Sequence, residues 1–189
     1  MLPALVELQR LKRLDRTGWS LRGLPNGTES VASHSFGVVV AAMFLADAIQ
    51  ERGVVVNTEK VLRMALLHDW AEARVGDLPK TATDYFGSEA RRNAETAALT
   101  DMVGHLAAFA KYRELYDDYE QRESVEAKLV KAADVIDLLV QVLALERAGA
   151  RGLDEFWEVT KKPNFQLEGV AADVVDELVA AILKARTEV

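Results

Sequence analysis

Apolar residues recur along this chain mainly at spacings of three and four rather than two, and this period is the feature that most narrows the fold. A period near 3.6 lines the apolar side chains along one side of a helix, whereas a half-buried strand needs strict alternation. Ala, Leu, Glu, Lys and Arg dominate the remaining positions, so local propensity agrees with the period. The expected fold class is all-α, a single-domain helical bundle. With 189 residues, 50% of them hydrophobic, the chain can bury a sizeable core and lies within the usual length of one domain.

Helices are predicted over residues 3 to 14, from Val31 to Arg52, from Thr58 to just before Gly76, over 88 to 110 and 111 to 121, from Ser124 to Ala148, over 153 to 160 and from Val170 to Arg186. Ser30 and Ser124 are the expected N-caps, and Gly53 and Gly149 the stops. Between the first two helices, RTGWSLRGLPNGTES reads as a long loop, of a kind that often carries function. The organisation expected is a core over roughly 28–150, an N-terminal helix and tryptophan loop over 1–27, and C-terminal helices over 151–189.

Composition removes several classes of function. There is no cysteine, so any bound metal relies on imidazole, carboxylate and water. A formal net charge of −7 argues against a nucleic-acid polymer as partner, since that role needs a broad basic surface. No uncharged apolar run reaches the length of about 18 residues that a membrane span needs, and charges occupy the place of a signal peptide's apolar region, so a cytoplasmic protein with no membrane partner is expected. One basic island, Arg10, Lys12, Arg13, Arg16 and Arg22, stands inside this acidic chain; it reads either as a solvated helix face or as a grip for a small anion.

Chemistry enters where ionisable residues continue the apolar stripes. His34 shares a stripe with Val38, Ala41 and Leu45, His68 and Glu72 continue one through Val61, Met64 and Ala65, and Asp134 lies on one with Val130 and Leu138. Buried groups of this kind are costly unless paired, and a shared cation would satisfy His34, His68, Asp69 and Asp134 together. Two imidazoles and two carboxylates suit Mn, Co, Fe, Ni or Zn better than Mg or Ca. The first-turn position of His34 predicts a neutral ring, because the helix dipole disfavours an imidazolium there. Glu72, four residues after His68, is the candidate proton shuttle, and Asp77 is either a second acid or base or a turn cap.

Each residue also has a bland reading. A lone inward histidine is ordinarily a satisfied core residue, Asp134 has Lys131 three residues earlier, Glu72 has Arg74 nearby, and Trp19 can be a lid over the core as readily as a stacking platform. His105, among Met102, Leu106 and Phe109, reads as a structural or surface residue. The combination is what points to a site.

That combination resembles the HD superfamily: His34 in ESVASHS, His68-Asp69 in ALLHDWAEARVGDLP and Asp134 in EAKLVKAADVIDLL follow its H…HD…D order. More narrowly, LKRLDRTGWSLRGLPNGTESVASHS is similar to the entry of the 5'-deoxynucleotidase branch, and the similarity extends to about residue 160. The resemblance implies an HD-domain helical bundle and a phosphohydrolase acting on deoxynucleoside 5'-monophosphates. It implies one divalent transition metal on His34, His68, Asp69 and Asp134, with Glu72 as the catalytic carboxylate and Asp77 at a second acidic position, and it suggests a homodimer. In that branch an arginine beside the loop tryptophan binds substrate; here Gly18 holds the adjacent position, leaving Arg16 and Arg22, with Trp19, as the candidate substrate contacts. Two alternatives are an HD hydrolase acting on nucleoside triphosphates or guanosine polyphosphates, and a regulatory module that binds nucleotide without turnover.

Overall fold

The computed structural model describes residues 1–161 and 163–188, which form helices and connecting turns with no strand. In chain order the α-helices are α1 (Leu2–Leu8), α2 (Thr17–Ser20), α3 (Val31–Glu51), α4 (Thr58–Leu67), α5 (Glu72–Val75), α6 (Lys80–Phe86), α7 (Ser88–Val103), α8 (Phe109–Gln121), α9 (Val125–Arg147) and α10 (Gly169–Thr187). Tighter 3-10 turns cover Gln9–Lys12 and Asp154–Lys161. The all-helical expectation is met. Its boundaries shift: the first predicted helix tightens after Leu8, and the one expected to reach residue 110 ends at Val103. His105 consequently stands exposed in the turn before α8.

Caps set the starts of the two longest helices. Ser30 Oγ accepts the Ser33 amide at 3.1 Å and Ser124 Oγ accepts that of Ala127 at 3.1 Å, each such cap contributing about 0.5–2 kcal/mol. Ahead of α3, the Arg16 amide donates to the Glu29 carbonyl at 3.0 Å and Val31 to Leu14 at 2.8 Å. The long loop is therefore closed at its neck, and it contains α2.

The central helix is α3, packed on α4, α9 and α10. It is long and apolar enough by composition alone to cross a membrane, with a mean hydropathy of 1.6 over 18 residues, yet it runs through the middle of the bundle. Its apolar neighbours fall into two clusters. One holds Val38, Leu45, Ile49, Met64, Ile136 and Leu139; the other holds Val31, Leu67, Leu99, Met102 and Tyr116. The boundary passes between Val31 and Val38 on α3, where His34 lies, and beside Leu67 on α4, where His68 follows. The polar centre thus occupies the seam between two apolar packings.

Candidate metal centre and its cleft

The expected continuous helix from Thr58 to Gly76 breaks at the residues that matter. Residues 68–71 form a turn between α4 and α5, where the Trp70 amide bonds to Leu67 and the Glu72 amide to Asp69, three residues back rather than four, both at 3.1 Å. In such a tight turn, residues three apart eclipse one another. Glu72 is thereby set over Asp69 rather than strictly in line with His68. His68 Nδ1 donates to the Ala65 carbonyl at 2.7 Å, so its Nε2 faces away from its own helix.

Around this turn the four predicted ligands meet. His68 Nε2 lies 3.1 Å from Asp69 Oδ2, and His34 Nε2 lies 3.7 Å from Asp69 Oδ2 and 3.2 Å from Asp134 Oδ1. His34, His68 and Asp134 offer ligand atoms that all fall within 4.8 Å of one another. His34 Nε2, His68 Nε2 and Asp69 Oδ2 are buried without a hydrogen-bond partner, a costly state that one cation would relieve together. The bland reading of Asp134 is also realised, on its other oxygen: Oδ2 accepts from Lys131 Nζ at 2.6 Å and from the Tyr119 hydroxyl at 3.2 Å. Oδ1 is left toward His34.

Electrostatics match a cation site. Burial alone would raise the Asp69 carboxyl, but His68, His34 and Arg16 hold it down to about 2. Burial also opposes the charge on Asp134, yet Lys131, His34 and His68 keep its carboxyl well below the usual range. Glu72 goes the other way. Its Oε2 is buried without a partner, and burial together with the nearby Asp69 and Asp77 charges pushes it well above an ordinary glutamate.

His34 departs from expectation. Burial and Arg16 disfavour its proton, but the carboxylates of Asp134 and Asp137 beside its two nitrogens outweigh them and raise the ring to about 9. The carboxylates oppose the helix dipole, so in the absence of metal the ring holds a proton more tightly than a free imidazole. Its stabilising contribution is complete below about pH 6.5 and is lost as pH rises through the folded value. Urea unfolding of chelator-treated protein should therefore show stability falling between about pH 6.5 and 9. Cation uptake at neutral pH should in turn expel a proton, visible as buffer-dependent heat in titration calorimetry.

A cleft of about 1090 Å³ opens over these groups, lined by His68, Asp69, Glu72, Asp77, Asp134 and Arg16 among others. Two members of the basic island, Arg16 and Arg22, line this cleft, and Arg16 reaches the carboxylates, its Nη1 lying 3.8 Å from Asp69 and 3.9 Å from Asp77. Burial works against its charge, and the surrounding carboxylates hold it cationic. Asp77 Oδ2 accepts the Thr17 amide at 2.6 Å and the Thr17 hydroxyl at 2.9 Å, pinning the start of α2 from across the fold. Arg22 is paired with Glu155 and lies 4.9 Å from the Phe156 ring centre, at the cleft mouth.

Trp19 is only 2% exposed; its indole N–H donates to Glu29 Oε2 at 2.7 Å and its ring tilts against Phe156 at 4.8 Å. It is packed as a wall of the core, and half-buried Phe156 supplies aromatic surface in the cleft. A Cβ at Gly18 would touch the same Phe156 ring at 3.6 Å.

Sequence reasoning missed Asp137, whose Oδ2 lies 2.7 Å from His34 Nδ1, and Glu29, which with His34 and Asp137 forms a second close group. The available signal was a second charge in the otherwise apolar run Ala132–Leu139. It also missed α6, which lines the cleft through Lys80, Thr81, Thr83 and Asp84, and the buried pair of Glu95 and Tyr116, whose hydroxyl donates to Glu95 Oε2 at 3.0 Å.

Comparison with known proteins identifies the family of this fold. The HD domain family model matches residues 8–168. The chain is 29% identical over 186 residues to the 5'-deoxynucleotidase hdd1 of Schizosaccharomyces pombe, covering 94% of this chain and 89% of that one. It is 32% identical over 155 residues to the 5'-deoxynucleotidase HDDC2 of Xenopus laevis, covering 80% and 73%. Among solved structures, the PH0347 protein of Pyrococcus horikoshii OT3 superposes with a TM-score of 0.84 at 32% identity, over 98% of this chain and 99% of that one. With the ligand order, the helical fold and the relatives in agreement, the chain belongs to the HD-domain family.

Proposed function

We propose that this chain is a metal-dependent phosphohydrolase that removes the 5'-phosphate from deoxynucleoside monophosphates, inside the cell. The observation that carries the reading is the convergence of three orphaned ligand atoms with the buried, unpartnered carboxylate oxygen of Glu72 at one cleft. A structural or purely binding role gives no reason to leave that carboxylate unpaired beside a cation site. The relatives named 5'-deoxynucleotidase support the choice of substrate.

His34, His68, Asp69 and Asp134 would hold one divalent ion, and their two nitrogen and two oxygen donors favour Mn, Co, Fe, Ni or Zn over Mg. When bound, that ion supplies Lewis-acid activation of water and charge neutralisation at phosphate. Glu72 accepts a proton from the attacking water as its oxygen bonds to phosphorus. The bond from phosphorus to the 5' oxygen breaks, and that oxygen leaves as the hydroxyl of the deoxynucleoside by taking up the proton that Glu72 had accepted, which restores the carboxylate. Arg16 meets the charge on the phosphoryl oxygens, while Asp77 holds Arg16 and the Thr17 turn in position and stands as a second acidic group beside Glu72. Arg22, Phe156 and the covered Trp19 form the nucleoside side of the cleft.

A second reading is hydrolysis of a longer nucleotide, favoured by the cleft volume of about 1090 Å³, just above the range of about 300–1,000 Å³ common for small-molecule pockets. The test for both is phosphate or pyrophosphate release from a panel of nucleoside mono- and triphosphates, after chelation and reloading with Mn, Co, Zn or Mg. Release of phosphate from deoxynucleoside monophosphates is expected. Turnover of triphosphates alone selects the second reading, and no turnover with any metal leaves a nucleotide-binding module.

A further inference from the structure

We infer that Asp137 is the positioning residue that aims His34 Nε2 at the cation, and that residue 37 is glycine to admit the Asp137 carboxylate. This rests on the reading of His34 as a ligand. An imidazole has two nitrogens, and a carboxylate at one of them keeps an N–H there and leaves the other as the lone-pair donor. Asp137 Oδ2 lies 2.7 Å from His34 Nδ1, while Nε2 is buried, unpartnered and directed at Asp69 and Asp134. Asp134 and Asp137 are one turn apart on α9, so a single helix presents one carboxylate to the cation position and a second behind the ring.

The approach needs room that only glycine leaves. A Cβ at Gly37 would stand 1.8 Å from Asp137 Oδ1 and 2.6 Å from its Cγ, so the carboxylate occupies the volume of the missing methyl group. Gly37 lies within α3 and is absent from the residues with positive φ, so the backbone gives no other reason for a residue that helices disfavour. A methyl group fits there only if the carboxylate swings away from His34. His68 contrasts with this arrangement: its Nδ1 donates to the neutral carbonyl of Ala65, and among the described residues no side chain hydrogen-bonds to that nitrogen. On the far side, Glu29 places a carboxylate oxygen within the same close group as His34 and Asp137 and is itself fixed by the Trp19 indole. The tryptophan loop thereby bears on the orientation of the ligand without touching the cation position.

The test is titration of chelator-treated full chain with Mn²⁺ or Zn²⁺, with no nucleotide present, alongside Asp137→Ala, Asp137→Asn, Gly37→Ala and the double variant Gly37→Ala/Asp137→Ala. Asp137→Ala should weaken metal binding about 10–100-fold, the range seen for partners that orient metal ligands. Asp137→Asn, whose amide oxygen still accepts from Nδ1, should recover part of that loss and serves if the alanine variant fails to fold. Gly37→Ala should match Asp137→Ala, and the double variant should be no worse than either. Long-range proton–nitrogen spectra of the Zn²⁺-loaded chain should show the proton on His34 Nδ1 in the wild type and a changed signal in Asp137→Ala. Wild-type affinity in both Asp137 variants overturns this inference and leaves the reading of the site intact. A wild-type chain that binds no divalent metal overturns both.

Discussion

Glu72→Gln should leave the chain folded and loaded with metal while lowering nucleotide hydrolysis about 10²–10⁴-fold, the usual contribution of a positioned acid–base group. Glutamine preserves the shape of the side chain in its buried place over Asp69 but cannot take up a proton. The fall should therefore appear in kcat, with KM little changed, because Glu72 is not asked to bind substrate. Metal content by elemental analysis and single-turnover phosphate release on the same sample separate loss of the shuttle from loss of the ion. Unaltered turnover at full metal content would falsify the assignment of Glu72.

Asp69→Ala should have an effect of a different kind: metal stoichiometry falling towards zero and hydrolysis falling to background. Asp69 Oδ2 is the atom that both histidines approach, at 3.1 Å from His68 and 3.7 Å from His34, and its carboxyl is held ionised down to about pH 2. Removing it takes away a ligand and an anionic charge together, so the affinity loss should exceed the roughly 100-fold upper end typical of an orienting partner. Equilibrium dialysis against Mn²⁺ measures this directly, and retention of stoichiometric metal would exclude Asp69 as a ligand. High metal concentration should not restore activity in Glu72→Gln, whereas any residual activity in Asp69→Ala should depend on it.

The helical class was legible because α3, α9 and α10 each bury one face, and burial of that kind leaves a three-and-four period in the order of residues. His34, His68, Asp69 and Asp134 were legible for a related reason: an ionisable side chain in an apolar stripe is costly enough to need an explanation. What escaped notice lacked either signal. The break at His68 leaves no glycine or proline behind: His68 and Ala71 keep helical backbone angles, while the Trp70 and Glu72 amides bond three residues back. Helix α6 buries none of its residues, so it carries no apolar period to read. Asp137 and Gly37 make sense only as a pair across two helices 100 positions apart, and nothing local in either stretch announces the other. The upward shift of His34 was not legible because the carboxylates that cause it, Asp134 and Asp137, come from a distant part of the chain.

The bareness of α6 has a consequence for how such a protein can change over generations. Four of its seven residues line the cleft, yet none of the seven is buried. Substitutions on such a surface commonly alter stability by only about 0.5 kcal/mol in either direction. The candidate ligands, by contrast, sit in the seam between two apolar packings, where changes of volume are felt. Drift can therefore rework this wall of the cleft while the cluster of His34, His68, Asp69 and Asp134 stays constant, so that descendants of one ancestor would diverge in substrate choice before they diverge in chemistry.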